Sequence, residues 1–206
     1  MGGGTYGEVY LCYLQSLGIA VDYFLDDDER KLGSKISGIE VKGASSSIEG
    51  LFSQGVTDFY CPIGVNKVRV GLNMRARKAG LFTPNFIHPS AIVNSDIAVN
   101  SGVYILPGAV VMPCSRIEQD VMISTSATVA HHTTLSQGVF LSTGVAVGAG
   151  MRIGKNVYAG MKSTFVTGKV TDVGDDAIVG AGAVVLRNVD SLDVVAGVPA
   201  RSIRNR

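Results

Sequence analysis

Residues 129–147 read VAHHTTLSQGVFLSTGVAV, and every sixth residue of this stretch is apolar: Val129, Leu135, Leu141 and Val147. The same step of six extends back to Ile87 and forward to Phe165, with an apolar residue at all fourteen positions. With just under half of all residues apolar, chance gives such a run with a probability on the order of one in 10⁵. Two residues are then inserted, and the period resumes at Val173, Val179 and Val185.

A strict period of six is neither the period of an α-helix nor the alternation of a half-buried strand. It is typical of a hexapeptide β-helix, in which each hexad forms a short strand and a turn, and three hexads close a coil of about 18 residues. Every sixth side chain then points inward and stacks on its equivalent one coil away. The two residues inserted between Phe165 and Val173 are expected to bulge out at one corner.

Residues 1–84 show mixed patterning in place of the repeat. The pattern predicts helices over residues 8–17 and 65–79, strands at 19–25, 39–41 and 59–63, and a polar loop at 26–38. Alternating strands and helices favour a small α/β domain with a parallel sheet. We therefore predict an α/β domain at residues 1–84, a β-helix at 85–189 and a C-terminal tail at 190–206.

The start of the chain carries a motif for phosphate recognition. Residues 2–7, GGGTYG, fit the pattern G-x-G-x-x-G, a predicted helix follows, and Asp26 and Asp27 lie about twenty residues further on. Glycines let the backbone approach a phosphate, a helix N-terminus offers free amides, and a carboxylate accepts from ribose or base donors. The motif indicates a Rossmann-like nucleotide site, although no strand precedes the loop. A glycine-rich, partly flexible N-terminus is the alternative.

Charge and composition exclude several classes of protein. Lysines and arginines number 18 against 17 acids, and a net charge of +1 gives no field that would attract nucleic acid or a membrane surface. Polar residues within the first 25 positions argue against a signal peptide or a membrane span. An odd number of widely spaced cysteines indicates reduced thiols of a cytosolic protein, not disulfides or a metal site: Cys12, Cys61 and Cys114.

Several segments together resemble a known family. They are residues 3–7 (GGTYG), 24–28 (FLDDD), 38–41 (GIEV), 63–69 (IGVNKVR), 87–91 (IHPSA), 129–131 (VAH) and 197–201 (GVPAR). With the hexapeptide repeat, they resemble the left-handed β-helix acyltransferases, and among these the nucleotide-amino-sugar N-acetyltransferases and sialic-acid O-acetyltransferase-like proteins of bacterial glycan synthesis. The resemblance covers almost the whole chain. It implies a left-handed coil, acetyl-CoA as co-substrate, a homotrimer and a cytoplasmic enzyme.

The resemblance also implies what the N-terminal domain binds. In the family this domain holds the nucleotide of a sugar nucleotide, not NAD. The residues that would face this substrate are Gly4, Thr5, Tyr6, Asp26 and Asp27. Many relatives have histidine at the position of Tyr6, so this chain departs from the family there.

Acetylation of an amine needs a base for the amine's proton and a donor for the oxyanion. His131 follows the inward Val129 by two residues, so the register places it at a coil corner, and it matches the family's catalytic base. His132 stands where relatives often have glutamate and is a possible orienting neighbour, although alternation along a strand predicts that it faces away. His88 is expected to be a structural cap. No cysteine is expected near His131, which favours direct attack of the amine on the thioester.

The acyl donor would lie along a groove lined by small residues. By the same resemblance, Ser142 contacts acetyl-CoA and the amide of Ala149 polarises the acetyl carbonyl. Further small residues line the groove and two arginines meet the phosphates: Gly160, Gly180, Ala181, Gly182, Arg187 and Arg201. The alternative interpretation of the glycines is that they only form turns of the β-helix.

Three functions remain open at this point. The glycine loop and the aspartates favour acetyl transfer to the amine of a nucleotide-linked amino sugar, of the 4-amino-4,6-dideoxy hexose class. The alternatives are an O-acetyltransferase acting on sialic acid or a related free sugar, and a non-catalytic trimeric scaffold. A zinc enzyme is disfavoured, and no metal is expected, because the positions one coil before and after His131 are Pro113 and Ala149.

Overall fold

The computed structural model describes residues 2–203, and the chain divides into two compact units, Met1–Pro84 and Asn85–Arg206. The first unit mixes helices and strands, whereas the described part of the second is built of strands and turns. None of the helices within residues 2–203 has the length and apolar character needed to cross a bilayer.

The N-terminal unit combines three helices with a small three-stranded sheet. Its helices are α1 (Thr5–Ser16), α2 (Ile48–Leu51) and α3 (Asn66–Lys78). Its strands are β1 (Phe24–Leu25), β2 (Lys35–Ile36) and β3 (Ile39–Gly43). The central strand β3 pairs in parallel with β1 and antiparallel with β2. Three short 3-10 turns complete the unit: Glu29–Lys31, Ser45–Ser47 and Phe52–Gln54.

Both predicted helices and the strand at 39–41 are confirmed, but the other two predicted strands differ. Pairing with β3 begins at Phe24, so the strand predicted at 19–25 is reduced to β1. The strand predicted at 59–63 is wrong: the nearby pairing is a single bridge between Asp58 and Phe82, and Pro62 has no N–H for a ladder. The loop predicted at 26–38 contains β2, which forms because β3 lies beside it.

The second unit is a parallel β-helix of very short strands in three sheets. Sheet A contains Phe86–Ile87, Tyr104–Ile105, Met122–Ile123, Phe140–Leu141, Tyr158–Ala159, Ile178–Val179, Val194–Ala196 and Arg201–Ser202. Sheet B contains Ile92–Val93, Val110–Val111, Thr128–Val129, Ala146–Val147, Thr164–Phe165 and Val184–Val185. Sheet C contains Ala98–Val99, Arg116–Ile117, Thr134–Leu135, Arg152–Ile153 and Asp172–Val173.

The register of the coils follows the sequence period. Ile123 pairs with Leu141, 18 residues further on, whereas Phe165 pairs with Val185, 20 residues further on. The two additional residues lie in the turn around Gly168 and leave the strand pairing on both sides intact. The predicted insertion at a corner is therefore confirmed.

The every-sixth residues form the core of the β-helix. From Ile105 to Val185 all fourteen of them are buried. The first coil differs: Val93 and Val99 are partly buried, and Ile87 is 38% exposed. Ile87 keeps the register by pairing with Ile105, but it is not covered as the inward positions of later coils are, because its strand pairs with a coil on one side only.

Two positions of each turn restrict the choice of residue, for different reasons. The third residue after an inward position has a positive φ, as in Cys114 (62°), His132 (59°) and Gly182 (66°). The residue directly after an inward position lies against the next coil. A Cβ on Gly160 would be 2.6 Å from the backbone nitrogen of Ala181. Close approach of the coils therefore requires glycine at position 160.

The segment predicted as a C-terminal tail continues the coil. Val194–Ala196 pairs in parallel with Ile178–Val179, and Arg201–Ser202 folds back antiparallel to it. Val195 and Ala200 are buried with the core residues. The sheet therefore extends beyond residue 189, although the strict hexad period ends there.

Candidate active site

The predicted catalytic histidine lies on an exposed turn of the β-helix. His131 and His132 connect the sheet B strand Thr128–Val129 with the sheet C strand Thr134–Leu135, and both side chains are exposed. Their Nδ1 atoms are 2.9 Å apart, and the rings meet edge to face with centroids 5.1 Å apart. One Nδ1 must donate and the other accept. If His131 donates, its Nε2 is left as the basic nitrogen.

The expectation that His132 faces away from His131 is wrong. His132 is a turn residue with φ of 59°, so strand alternation does not apply to it. The expectation that no cysteine lies near His131 in the register is also wrong. Cys114 occupies the same corner position as His132 one coil earlier, and the His132 N–H donates to the carbonyl of the adjacent Pro113. The backbone N–H of Cys114 donates to Asp96.

The corner that carries His131 extends over several coils, and we call it the histidine corner. Its column consists of equivalent positions, each two residues after an inward residue of sheet B: Pro113, His131, Ala149, Thr167 and Arg187. Adjacent coils are about 4.8 Å apart, and Arg187 is three coils from His131, so the two lie about 14 Å apart along the axis of the β-helix. Of the residues predicted to contact acetyl-CoA, Ala149 and Arg187 share this column with His131.

The amide of Ala149 already has an acceptor. Its N–H donates to Thr167 Oγ1 at 3.0 Å. Thr167 belongs to the turn that contains the two-residue insertion, and its side chain is exposed. Sequence analysis did not single out Thr167, although its position 18 residues after Ala149 could have done so.

Most of the other residues predicted to contact acetyl-CoA lie on a different corner, which we call the glycine corner. Ser142, Gly160 and Gly180 each follow an inward residue of sheet A, and Ala181 and Gly182 continue the last of these turns. Ser142 is buried, and its hydroxyl donates to the hydroxyl of Tyr158 at 3.2 Å. Sheet B separates this corner from the histidine corner within one chain.

Basic residues at both corners extend the candidate site. Arg187 is exposed on the histidine corner, and Lys162, absent from the sequence-based set, is exposed on the glycine corner above Gly144. Arg201 lies on the last strand of sheet A, where its guanidinium donates to the carbonyl of Ala200. Arg201 is therefore placed away from the column that contains His131.

In the N-terminal unit, Asp26 holds the glycine loop together. Its carboxylate accepts from the backbone N–H of Gly3 at 2.7 Å, from that of Asp28 at 2.9 Å and from Lys31 Nζ at 3.0 Å. Burial opposes ionisation of this carboxyl, but these hydrogen bonds outweigh it and lower the pKa of Asp26. The structure thus gives Asp26 a positioning role that the sequence did not predict.

The glycine loop itself is sterically constrained. A Cβ on Gly7 would collide with the carbonyl oxygen of Gly2, and one on Gly3 would lie 2.5 Å from Ile36 Cδ1. Gly4, by contrast, has open space around it and caps the N-terminus of α1 without a side-chain hydrogen bond. The first amides of α1, at Thr5 and its neighbours, therefore lie at an open helix start.

Asp27, Asp28 and His88 also have local partners. Asp27 Oδ1 accepts from the backbone N–H of Ser45 at 2.6 Å, and Asp28 forms an ion pair with Arg30. His88 Nδ1 is hydrogen bonded to Ser90, in keeping with the predicted cap. Among residues 2–203, no group of three or more histidine, cysteine or acidic side chains is arranged to hold a metal ion.

Comparison with known proteins extends these observations. The family model of the PglD N-terminal domain matches residues 1–75. A GDP-perosamine N-acetyltransferase from Caulobacter crescentus, as a histidine-to-alanine variant with CoA and GDP-perosamine bound, is 30% identical with a TM-score of 0.92, and the match covers 99% of this chain and 95% of that chain. The acetyltransferase domain of PglB from Neisseria gonorrhoeae is 30% identical with a TM-score of 0.90, over 98% and 97% of the two chains.

The chain belongs to the hexapeptide-repeat nucleotide-amino-sugar N-acetyltransferases. WeeI from Acinetobacter baumannii, at 20% identity and a TM-score of 0.87 over 98% of this chain and 97% of that chain, shares the fold. No curated protein sequence matched the chain. The predicted family, the enzyme class of an acetyl-CoA-dependent sugar N-acetyltransferase and the co-substrate acetyl-CoA are confirmed.

One residue of the predicted nucleotide site of this N-acetyltransferase has a clear structural setting. The ring of Tyr6 meets that of Tyr10 edge to face, with centroids 5.4 Å apart, and Tyr10 is buried in α1. Tyr6 is partly buried and lies in the first turn of the helix. Its ring is thus fixed beside the open helix start.

Proposed function

We propose that this chain transfers the acetyl group of acetyl-CoA to the amine of a nucleotide-linked amino sugar, of the 4-amino-4,6-dideoxy hexose class, in the synthesis of bacterial surface glycans. The observation that carries the proposal is the exposed His131, bonded to His132 on a coil corner. The similarity to an enzyme crystallised with CoA and GDP-perosamine, as variants in which one histidine was replaced, supports it.

The proposed chemistry is direct attack of the sugar amine on the thioester. In the tautomer in which His131 Nδ1–H donates to His132 Nδ1, His131 Nε2 takes the proton of the amine as the carbon–nitrogen bond forms. The tetrahedral intermediate collapses with cleavage of the carbon–sulfur bond, and the proton passes from His131 to the leaving thiolate. His132 stabilises the transient imidazolium because a hydrogen bond from a charged donor is stronger than one from a neutral donor.

The histidine corner also gives the proposed acyl donor a direction. The amide of Ala149, one coil from His131, is the donor for the acetyl oxygen, and Arg187, two coils further, meets the phosphates. A pantetheine arm running along the column connects these two points, and it needs small residues there because bulky side chains would obstruct it. Arg201 is a secondary candidate for the phosphates, since its guanidinium already donates to Ala200.

The separation of the two corners favours a homotrimer. Within one chain, the width of sheet B separates His131 from the predicted acetyl-CoA contacts at the glycine corner: Ser142, Gly160, Gly180, Ala181 and Gly182. A donor held by both sets would therefore lie between two copies, with the histidine corner of one facing the glycine corner of the next. Three copies around a threefold axis repeat this contact and close the assembly. Light scattering that finds a stable monomer at micromolar concentration contradicts this part of the proposal.

The nucleotide would be held at the glycine loop. The open start of α1, at Gly4, Thr5 and Tyr6, supplies amides for a phosphate, and Lys31 adds a positive charge nearby. Asp27 contributes its second carboxylate oxygen, while Asp26 holds the loop. The finer features of the proposal are a Rossmann-like N-terminal domain, a left-handed coil and a cytoplasmic location, where both substrates are made.

The test is the release of CoA thiol from acetyl-CoA with a panel of acceptors. The panel contains UDP-, GDP- and dTDP-linked 4-amino sugars and free sialic acid, which represents O-acetylation. We expect turnover with one nucleotide-linked amino sugar and none with sialic acid. His88→Ala serves as the control variant, because the His88 side chain is hydrogen bonded to Ser90 in the first coil of the β-helix, and its loss should leave turnover unchanged. Turnover with sialic acid alone would replace this proposal by the O-acetyltransferase.

A further inference from the structure

The amide assigned to the acetyl oxygen is bonded to a side chain that no part of the proposed function uses. Thr167 Oγ1 accepts from the N–H of Ala149 at 3.0 Å. The same oxygen would be 2.6 Å from a Cβ at position 148, which is glycine. Thr167 Oγ1 therefore holds the position that an acyl oxygen accepting from Ala149 would take.

Thr167 is able to give up this position. Its side chain is exposed, and it lies in the enlarged turn between Phe165 and Val173, where two additional residues widen the corner. Rotation about its Cα–Cβ bond moves the hydroxyl without disturbing the strand pairing on either side. A hydroxyl is both acceptor and donor. The oxygen that accepts from Ala149 can therefore turn its own proton toward a neighbouring oxygen.

We propose that Thr167 is a second donor to the acyl oxygen, acting beside the Ala149 amide. This inference rests on the proposed function. When the thioester oxygen takes the place on Ala149, the Thr167 hydroxyl moves aside and donates to the same oxygen. As the amine adds to the carbonyl carbon, negative charge develops on that oxygen, and two donors stabilise it. No bond to Thr167 forms, and its proton stays on the hydroxyl throughout.

The experiment compares Thr167→Val, which keeps the shape and removes the hydroxyl, with Thr167→Ser, which keeps the hydroxyl. Thr171→Val is the matched control, because Thr171 lies in the same turn but bonds to the side chain of Asn188. We expect Thr167→Val to lower kcat by about tenfold to a hundredfold, up to the lower limit of the roughly 10²–10³-fold loss on removing an oxyanion donor, because the Ala149 amide remains. Thr167→Ser and Thr171→Val should stay within about threefold of the parent. Binding of CoA, which lacks the acetyl thioester and its oxygen, should be unchanged in Thr167→Val when measured by calorimetry.

Three results would overturn the proposal. They are unchanged or increased kcat in Thr167→Val, failure of Thr167→Ser to retain activity, and equal losses of kcat, CoA affinity and melting temperature in Thr167→Val and Thr171→Val. His131→Ala, measured in parallel, separates this inference from the proposed function. Loss of activity in His131→Ala with none in Thr167→Val rejects the inference alone. Full activity in both rejects the proposed mechanism as well.

Discussion

The β-helix and the N-terminal unit hold their candidate sites by different means. In the β-helix, His131, Ala149 and Arg187 occupy equivalent positions of one column, and one stack of inward residues fixes them all. In the N-terminal unit, the carboxylate of Asp26 connects the glycine loop to the acidic turn through bonds to Gly3, Asp28 and Lys31, and the N–H of Gly2 donates to the carbonyl of Leu25. A repeated scaffold thus tolerates changes of exposed side chains, whereas a loop held by a few hydrogen bonds is more sensitive to one substitution.

The largest effect is expected at the histidine corner. His131→Ala should lower kcat by about 10²–10⁴-fold, the usual contribution of a general base. Its melting temperature should barely change, because the side chain is exposed outside the stack. His132→Ala should cost less, and His132→Glu, which restores an acceptor for His131 Nδ1, should recover part of that loss. Steady-state kinetics measure kcat and thermal unfolding measures the melting temperature of each variant. Near-full activity in His131→Ala would reject His131 as the general base.

Within the β-helix, the glycine corner should show where the scaffold is intolerant. Gly160→Ala places a Cβ 2.6 Å from the Ala181 nitrogen, so we expect a loss of about 1–3 kcal/mol in the free energy of unfolding. Gly182→Ala is the control: it has open space but a φ of 66°, which costs about 1 kcal/mol. Chemical denaturation gives the free energy of unfolding of both variants. Equal losses of that free energy would show that the close approach of adjacent coils does not determine the requirement for glycine at position 160.

Arg187 tests the proposed direction of the donor. Arg187→Gln removes a charge from an exposed site, and we expect about tenfold weaker binding of CoA with kcat changed much less, since hydrogen bonds to charged groups contribute about 1.5–3 kcal/mol. Lys169→Gln, in the exposed insertion, is the comparison variant. If Lys169→Gln weakens binding and Arg187→Gln does not, the phosphates lie elsewhere on this corner.

The N-terminal unit should be sensitive to acid through Asp26. Its folded pKa is lowered, so its stabilisation is present above the carboxyl's ordinary pKa of about 3.9 and is lost as the pH falls through the folded value. Asp26→Asn should destabilise the unit at neutral pH and remove this part of the acid dependence. Asp28→Asn, at an exposed ion pair with Arg30, should change stability far less. Unfolding followed from pH 7 to pH 3 distinguishes them.

The smallest effect is expected at Cys114. Its position one coil before His132 raises the possibility of an acetylated thiol, whereas the proposed mechanism is direct. Cys114→Ser should therefore keep kcat within about twofold of the parent, as for a surface substitution. Mass spectrometry after mixing with acetyl-CoA alone should find no acetylated enzyme. An acetyl group on Cys114 that transfers to the sugar would establish a covalent intermediate.

The two halves also differ in how far the sequence predicted them. Burial from Ile105 to Val185 followed from the hexad period, because each position has the same surroundings in every coil. Ile87 departed from it because a terminal coil has one neighbour. The extended segment at 59–63 and strand β2 depended on which chain segments lie beside them, and no local pattern carries that information.

For the candidate site, the register correctly placed His131 at a corner of the coil, but strand alternation predicted the wrong orientation for His132. Strand alternation was applied to a turn, where a φ of 59° directs the side chain differently. Thr167 and Lys31 are absent from the predicted residues since neither belongs to a motif. Their contacts are visible only in the structure: Thr167 with Ala149, 18 residues earlier, and Lys31 with Asp26, five residues earlier. The spacing of 18 between Cys114 and His132, by contrast, is visible in the sequence.

The enlarged turn between Phe165 and Val173 shows that chain length and core register are independent in this architecture. Ile153 pairs with Val173 and Phe165 with Val185 across the two additional residues, and both inward positions stay buried. A corner can thus gain or lose residues in evolution without a compensating change in the interior. Loop libraries built at this turn would alter what the groove accepts while the strands that carry His131 keep their positions.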